Sequence, residues 1–205
     1  MVINKVLESL IEENELNDLA YLAATSKIEN HIRDKFCIEC SSVNRENIND
    51  ILYLREFRRV DVAVVENINI KHLIEFKSGY VFDLIKKPSK TNDAIEWIRH
   101  DFNKAKNIEI ANSNPGCKQS CVLITIDVLT QGVINEDVYG NFIKYCSKIN
   151  SFYRRRNGVN IFEEQKKRLL SCFDNVKYDI NGQYWGRGYY LGFEVDFYYW
   201  VIDKL

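Results

Sequence analysis

The chain has 205 residues, 46% hydrophobic and 28% charged, with a formal net charge of −1. This composition predicts one globular domain with a full core. The near-zero charge argues against indiscriminate nucleic-acid binding, which needs a strong basic excess. No stretch approaches the roughly 20 apolar residues of a membrane span, so no membrane partner is expected. The acidic stretch from Met1 to Leu16 lacks the apolar run of a signal peptide. Six cysteines without a secretory signal then read as reduced thiols in a cytoplasmic protein.

Val6, Leu7, Leu10, Ile11, Leu16, Leu19 and Leu22 recur at near-helical spacing, and the pattern resumes at Ile28, Ile32 and Phe36. Glu29 flanks that stripe, and Ser26-x-x-Glu29 also fits a capping box. Cys37-x-x-Cys40, with Cys117 and Cys121, allows a four-thiolate zinc site, although no His pair supports it and buried free cysteines are common. Residues 41–50, with Asn44 and Asn47, read as a polar connection.

From Phe57 to Tyr80, two runs rich in Val, Ile and Phe flank Asn67-Ile68-Asn69, as in a β-hairpin. A turn centred on Ile68 sets Asp61 opposite Glu75 and Arg59 opposite Lys77. Opposed residues have Cβ atoms about 5 Å apart, and alternate residues share a face. Asp61, Glu75 and Lys77 then converge on one side, with Val60, Val62, Val64, Ile74 and Phe76 on the other. Facing carboxylates repel unless a proton or cation lies between them, and hard divalent cations such as Mg²⁺ favour oxygen sites of this kind. The alternative is a half-exposed hairpin with charges on its wet face.

Lys86-Lys87-Pro88-Ser89-Lys90 reads as a basic loop. Asp93-x-x-Glu96 then starts a helix that buries Ile95, Ile98, Phe102 and Ala105. Its flank carries Arg99, His100, Lys104 and Lys106, either a solvated face or a track for phosphates. Asn112 to Gly116 is a turn, and Cys121 to Leu129 a strand buried on both faces. Hairpin, helix and strand in that order imply a right-handed crossover onto a mixed sheet, with Asp127 late in the buried strand.

A helix over 136–150 is expected to bury Val138, Phe142, Ile143, Cys146 and Ile149. Arg154-Arg155-Arg156 forms a basic loop before another helix from about 161 to 173, which carries Lys166, Lys167 and Arg168. Asn181-Gly182 signals a hairpin turn, and strand alternation follows through Tyr189, Leu191, Phe193, Val195, Phe197, Tyr199 and Val201. These aromatics suit sheet packing, base stacking or a dimer contact. Glu194 and Asp196 form a second carboxylate pair, with no Lys two residues on.

Asp61 followed by Glu75-Phe76-Lys77 resembles the PD-(D/E)XK signature of restriction-endonuclease-like nucleases, with Val60 where the motif has Pro. The resemblance covers about residues 20 to 130, leaving 131 to 205 as family-specific helices and strands. It implies an α/β fold, a mixed central β-sheet flanked by helices. It implies a metal-dependent nuclease using Mg²⁺ or Mn²⁺, foremost a DNA endonuclease, with RNA a second substrate class and a homodimer allowed. Asp61, Glu75 and the backbone carbonyl of Phe76 would hold the metal, with Glu29 as a further acidic ligand. Lys77 would orient or deprotonate the attacking water. Arg59, Lys104, Arg154, Arg155 and Arg156 are the candidate phosphate contacts. The competing reading is a catalytically inert nucleic-acid-binding or assembly module that keeps the fold.

Overall fold

The computed structural model describes residues 3–45, 51–85, 94–106, 116–154 and 158–205. The Lys86–Lys90 loop, Asn47, most of the Asn112–Gly116 turn, and Arg155 and Arg156 lie outside the described residues. The amino-terminal apolar pattern folds as α1 (Ile3–Leu10), α2 (Leu16–Thr25) and α3 (Glu29–Arg45), with a 3-10 turn over Glu13–Glu15. Ser26 closes α2, its amide and hydroxyl both donating to the Leu22 carbonyl at 2.7 and 3.0 Å.

The expected hairpin is the second half of a three-stranded antiparallel meander, β1 (Ile51–Phe57), β2 (Val60–Glu66) and β3 (Asn69–Tyr80). The β2–β3 turn is two residues long, Asn67 and Ile68, with φ of 49° and 62°. Positive φ at both central positions is what a tight hairpin of right-twisted strands demands. The ladder starts as Glu66↔Asn69 and Val65↔Ile70, then shifts to Val64↔His72 and Val62↔Ile74. One extra residue on β3 thus restores the register expected for a turn centred on Ile68.

A second irregularity lies across β1 and β2. Pairs are formed at Arg55↔Val62 and Phe57↔Val60, while Glu56, at φ 52°, and Asp61 are skipped. Leu54 and Phe57, an odd number of residues apart, pack against the same cluster as Val60 and Ala63. The in–out alternation therefore reverses at this step. This corrects the expectation that Val60 shares a face with Val62, Val64, Ile74 and Phe76, which all lie in the largest cluster.

After β3 come α4 (Val81–Ile85) and α5 (Ala94–Lys106), which buries Ala94, Ile95, Ile98 and Phe102. The chain then enters β4 (Lys118–Leu129), parallel to β3. The helix expected over 136–150 is broken into α6 (Glu136–Tyr139) and α7 (Cys146–Tyr153). Between them Tyr145 takes a left-handed backbone at φ 62°, so Val138 and Phe142 are exposed while Ile143, Cys146 and Ile149 stay buried. Helix α8 (Ile161–Cys172) leads to the antiparallel strands β5 (Tyr178–Tyr190) and β6 (Phe193–Lys204).

Asn181-Gly182 is not a turn. It lies within β5, where Gly182 pairs with Trp200 and a Cβ on Gly182 would fall 2.1 Å from the indole ring. The glycine is there to make room for tryptophan. The turn is Leu191-Gly192, at φ 49° and 79°.

The six strands run in the order β1-β2-β3-β4-β6-β5, antiparallel except at β3–β4. Strand alternation divides the core. Val122, Ile124 and Ile126 of β4 and Val195, Phe197 and Tyr199 of β6 face α1 to α3 and α7. Cys121 and Leu123, with Trp200 and Ile202, face α5 and α8. Burial on both faces is why Cys121 to Leu129 reads as a continuous apolar run.

Candidate active site

Strand β3 and helix α5 build one ordered surface. Trp97, Asp101 and Lys104 are spaced i, i+4, i+7 and share a helix face, and Glu75, Lys77 and Gly79 share a strand face. They meet in sequence. Lys104 Nζ lies 3.7 Å from Glu75 Oε1, and Asp101 Oδ2 lies 2.9 Å from Lys77 Nζ. A Cβ on Gly79 would sit 3.9 Å from the Trp97 ring. On the opposite face, Phe76 meets Phe36 of α3 edge-on at 5.4 Å, which fixes the height of β3 in the sheet.

Asp61 enters from β2. Its Oδ2 accepts the Phe76 amide at 2.7 Å, just beyond the last ladder pair, Val62↔Ile74. The N–H and C=O of a strand residue project to the same side, so the Phe76 carbonyl is directed to that side as well. Asp61 also acts on Glu75, which is 5% exposed, and neighbouring carboxyl groups favour the protonated form of one of them. Glu75 is pushed up to about 8, by burial first, then by the hydrogen bonding and charge of Asp61 and the charge of Asp101, against the pull of Lys104. Its Oε1 is buried without a hydrogen-bond donor among the described residues.

Helix α3 adds two residues. Arg33, 5% exposed, fills the skipped step of the β1–β2 ladder, with Nη1 3.4 Å from Asp61 Oδ1 and 3.3 Å from Glu56 Oε1. Its Nε pairs with Asp34 at 3.1 Å. Glu29 Oε2 accepts from the Ser78 amide at 3.2 Å and its hydroxyl at 3.4 Å. Glu29 thus docks α3 on the residue after Lys77 instead of reaching back to Ser26.

Burial alone would lower the Lys77 ammonium. The hydrogen bond and charge of Asp101, with Glu75 and Glu29, more than reverse this, so Lys77 keeps its proton above the ordinary lysine range.

Among the described residues, no three His, Cys, Asp or Glu side chains are grouped closely enough to hold an ion. Asp61 and Glu75 are brought together, but Glu29 is turned to Ser78 and Asp101 to Lys77. The donors that fit Mg²⁺ are therefore two carboxylates and the Phe76 carbonyl, and the unsatisfied Glu75 Oε1 is the atom such an ion would complete. Among the described residues, the four thiolates considered for zinc are not brought together. Cys37 and Cys40 lie in the cluster on one face of the sheet and Cys121 in the cluster on the other. Burial raises the first two thiols to about 11 and about 12.

Of the expected phosphate contacts, Lys104 touches the site through Glu75, and Arg154 is exposed at the end of α7. Arg59 is not opposite Lys77. It is exposed in the two-residue β1–β2 turn at φ 71°, because the skipped pair and this turn delay the start of β2 to Val60. Asp127 is buried on β4 in register with Asp196.

Sequence reasoning missed Arg33, Trp97 and Asp101. Asp101 had a signal, since it adjoins Phe102 in an apolar stripe and a carboxylate beside a buried face needs a partner. Arg33 had none, because its partners lie on other elements. No protein-family model matches this chain, and no curated protein and no solved structure shows significant similarity to it.

Proposed function

We propose that the chain is a metal-dependent nuclease of the PD-(D/E)XK kind, hydrolysing phosphodiester bonds and foremost those of DNA. The observation that carries the reading is the neighbouring Asp61 and Glu75 carboxylates on adjacent strands, Glu75 buried and Asp61 half-buried, with Lys77 on the Glu75 face. The parallel β3–β4 pair next to the antiparallel β2–β3 hairpin is also the order expected of a restriction-endonuclease-like core.

Asp61, Glu75 and the Phe76 carbonyl would hold Mg²⁺ or Mn²⁺. A bound ion supplies Lewis acidity toward the scissile phosphoryl oxygen and activation of water. Lys77, kept charged by Asp101, holds its proton at Nζ. In that state it orients the attacking water and offsets charge developing on the phosphate, and it is not the group that removes the water's proton. Asp101 and Lys104 fix Lys77 and Glu75 from the α5 side, and Arg33 fixes Asp61 from α3.

A second reading has its own support. The cations already present are each engaged with these acids, as expected of an inert nucleic-acid-binding or assembly module that needs no ion. Nicking of supercoiled plasmid with Mg²⁺, Mn²⁺ or EDTA separates the two. The nuclease cuts with metal and not with EDTA, and Lys77→Ala loses cutting while it still binds DNA in Ca²⁺. Inertness of the wild type on DNA and RNA with every metal would establish the module instead.

A further inference from the structure

Lys77 also borders a second space. Past Ser78 the surface opens into a cavity of about 340 Å³, walled by β3, the α2–α3 turn, α5 and the segment leading into α7. Three ammonium groups line it, Lys27, Lys77 and Lys144, against one carboxylate, Asp83. Lys77 is engaged by Asp101 at 2.9 Å and Asp83 by Lys148 at 3.6 Å, so the cavity's surplus of positive charge rests on Lys27 and Lys144.

Aromatic surface lies beside that charge. Trp97 covers Gly79 at one wall, and Tyr145 stands at another, 51% exposed. Tyr145 has φ 62° and ψ 30°, a left-handed backbone that is rare for an aromatic residue and persists only where its surroundings enforce it. The surroundings do so here. Tyr80 meets its ring edge-on at 5.4 Å, the Lys148 ammonium lies 4.8 Å from the ring centroid, and the Lys144 amide donates to the Ala24 carbonyl at 2.9 Å. A strained, pinned tyrosine with half its surface open is a platform for a flat ligand.

Ammonium groups next to open aromatic rings match a phosphate joined to a base. The volume is near the lower end of the roughly 300–1,000 Å³ of small-molecule sites, so it suits one nucleotide and excludes a duplex. We propose that this cavity takes one unpaired nucleotide of the substrate strand, its phosphate between Lys27 and Lys144 and its base against Tyr145 or Trp97. The adjoining phosphodiester would then lie at Lys77, a placement that rests on the nuclease reading, whereas the binding itself does not. The preferred substrate is then single-stranded or frayed nucleic acid.

Fluorescence anisotropy in EDTA tests this apart from any chemistry, with short labelled oligo(dT), oligo(rU) and a blunt duplex of equal length as probes. Expected are tighter binding of at least one single strand than of the duplex, and a loss of about ten-fold or more, with a salt slope flatter by roughly one unit, in Lys27→Ala/Lys144→Ala. Tyr145→Asn, which tolerates the left-handed backbone, should weaken single-strand binding by about ten-fold. The two single strands show whether the sugar is read. Binding unchanged in both folded variants, equal binding of the duplex, or no binding of either single strand by the wild type overturns the proposal. Pocket-dependent binding by a protein that cuts nothing would sink the nuclease reading alone.

Discussion

Glu194 and Asp196 on β6, and Asp61 and Glu75 on β2 and β3, are both close carboxylate pairs in one sheet, yet their charge is handled in opposite ways. Arg187 closes the first. Its Nη1 lies 2.6 Å from Glu194 Oε2, and Nε and Nη2 lie 2.7 and 3.0 Å from the two oxygens of Asp196. Tyr184 donates a further bond to Asp196 at 3.1 Å. A planar guanidinium that meets both acids leaves nothing for an ion to add. At the second pair, the nearest cations are divided among several acids, and Glu75 answers the surplus by keeping a proton. A proton retained through burial and neighbouring carboxylates is replaceable by a metal ion, and a pair fixed by its own arginine is not.

The largest expected effect sharpens this contrast at Asp61. Asp61→Asn should reduce Mg²⁺-dependent nicking on the order of 100-fold or more and weaken Mg²⁺ binding by calorimetry. Cutting at the wild-type rate would erase the distinction between the pairs.

Stability against pH probes the retained proton. Glu75 releases it at about 8 in the folded chain but near its ordinary 4.5 when unfolded. Between those values the folded state binds more protons, so metal-free stability is fullest below about 4.5 and falls as pH rises to about 8, by at most a few kcal/mol. Mg²⁺ should restore Tm at the alkaline end and release a proton on binding. Denaturant melts across that window check this, and a flat profile would count against the proton retained by Glu75.

Arg187→Ala should do the reverse of Asp61→Asn, sparing nicking while lowering stability. It strands Asp196, which is 4% exposed. The cost is about 2 kcal/mol, below the roughly 3–5 of a fully buried pair because the Arg187 side chain is 39% exposed. A loss of cutting at wild-type stability would make the β6 pair functional. The smallest effect belongs to Asp101→Asn, which should slow nicking by about ten-fold. Without Asp101 the Lys77 ammonium is less well held, so the alkaline limb of the rate profile should move to lower pH. A lower rate with an unmoved limb would leave Asp101 a purely structural role.

Elements whose burial repeats along the chain were legible before folding. The apolar stripe of α5, the two-sided burial of β4 and the alternation of β6 follow from periods of 3.6 and 2. The β2–β3 hairpin was legible too, because a hairpin ties its register to its own turn, although a bulge was needed to restore that register and the ladder closes at Val62↔Ile74, one step before Asp61. Three things came only from tertiary structure. Gly182 reads as a turn until Trp200 lies over it from the neighbouring strand. The alternation of β1 and β2 reverses at Glu56 and Asp61, where Arg33 enters from a helix distant in sequence. The protonation of Glu75 is set first by its burial and then by Asp61 and Asp101, against Lys104, and the charge of Lys77 is held against its burial by Asp101 on another element. Sequence periodicity fixes which way a side chain points within its own element. Which charges then surround it depends on how the elements are brought together, and desolvation and Coulomb forces at a few ångströms act on that arrangement alone.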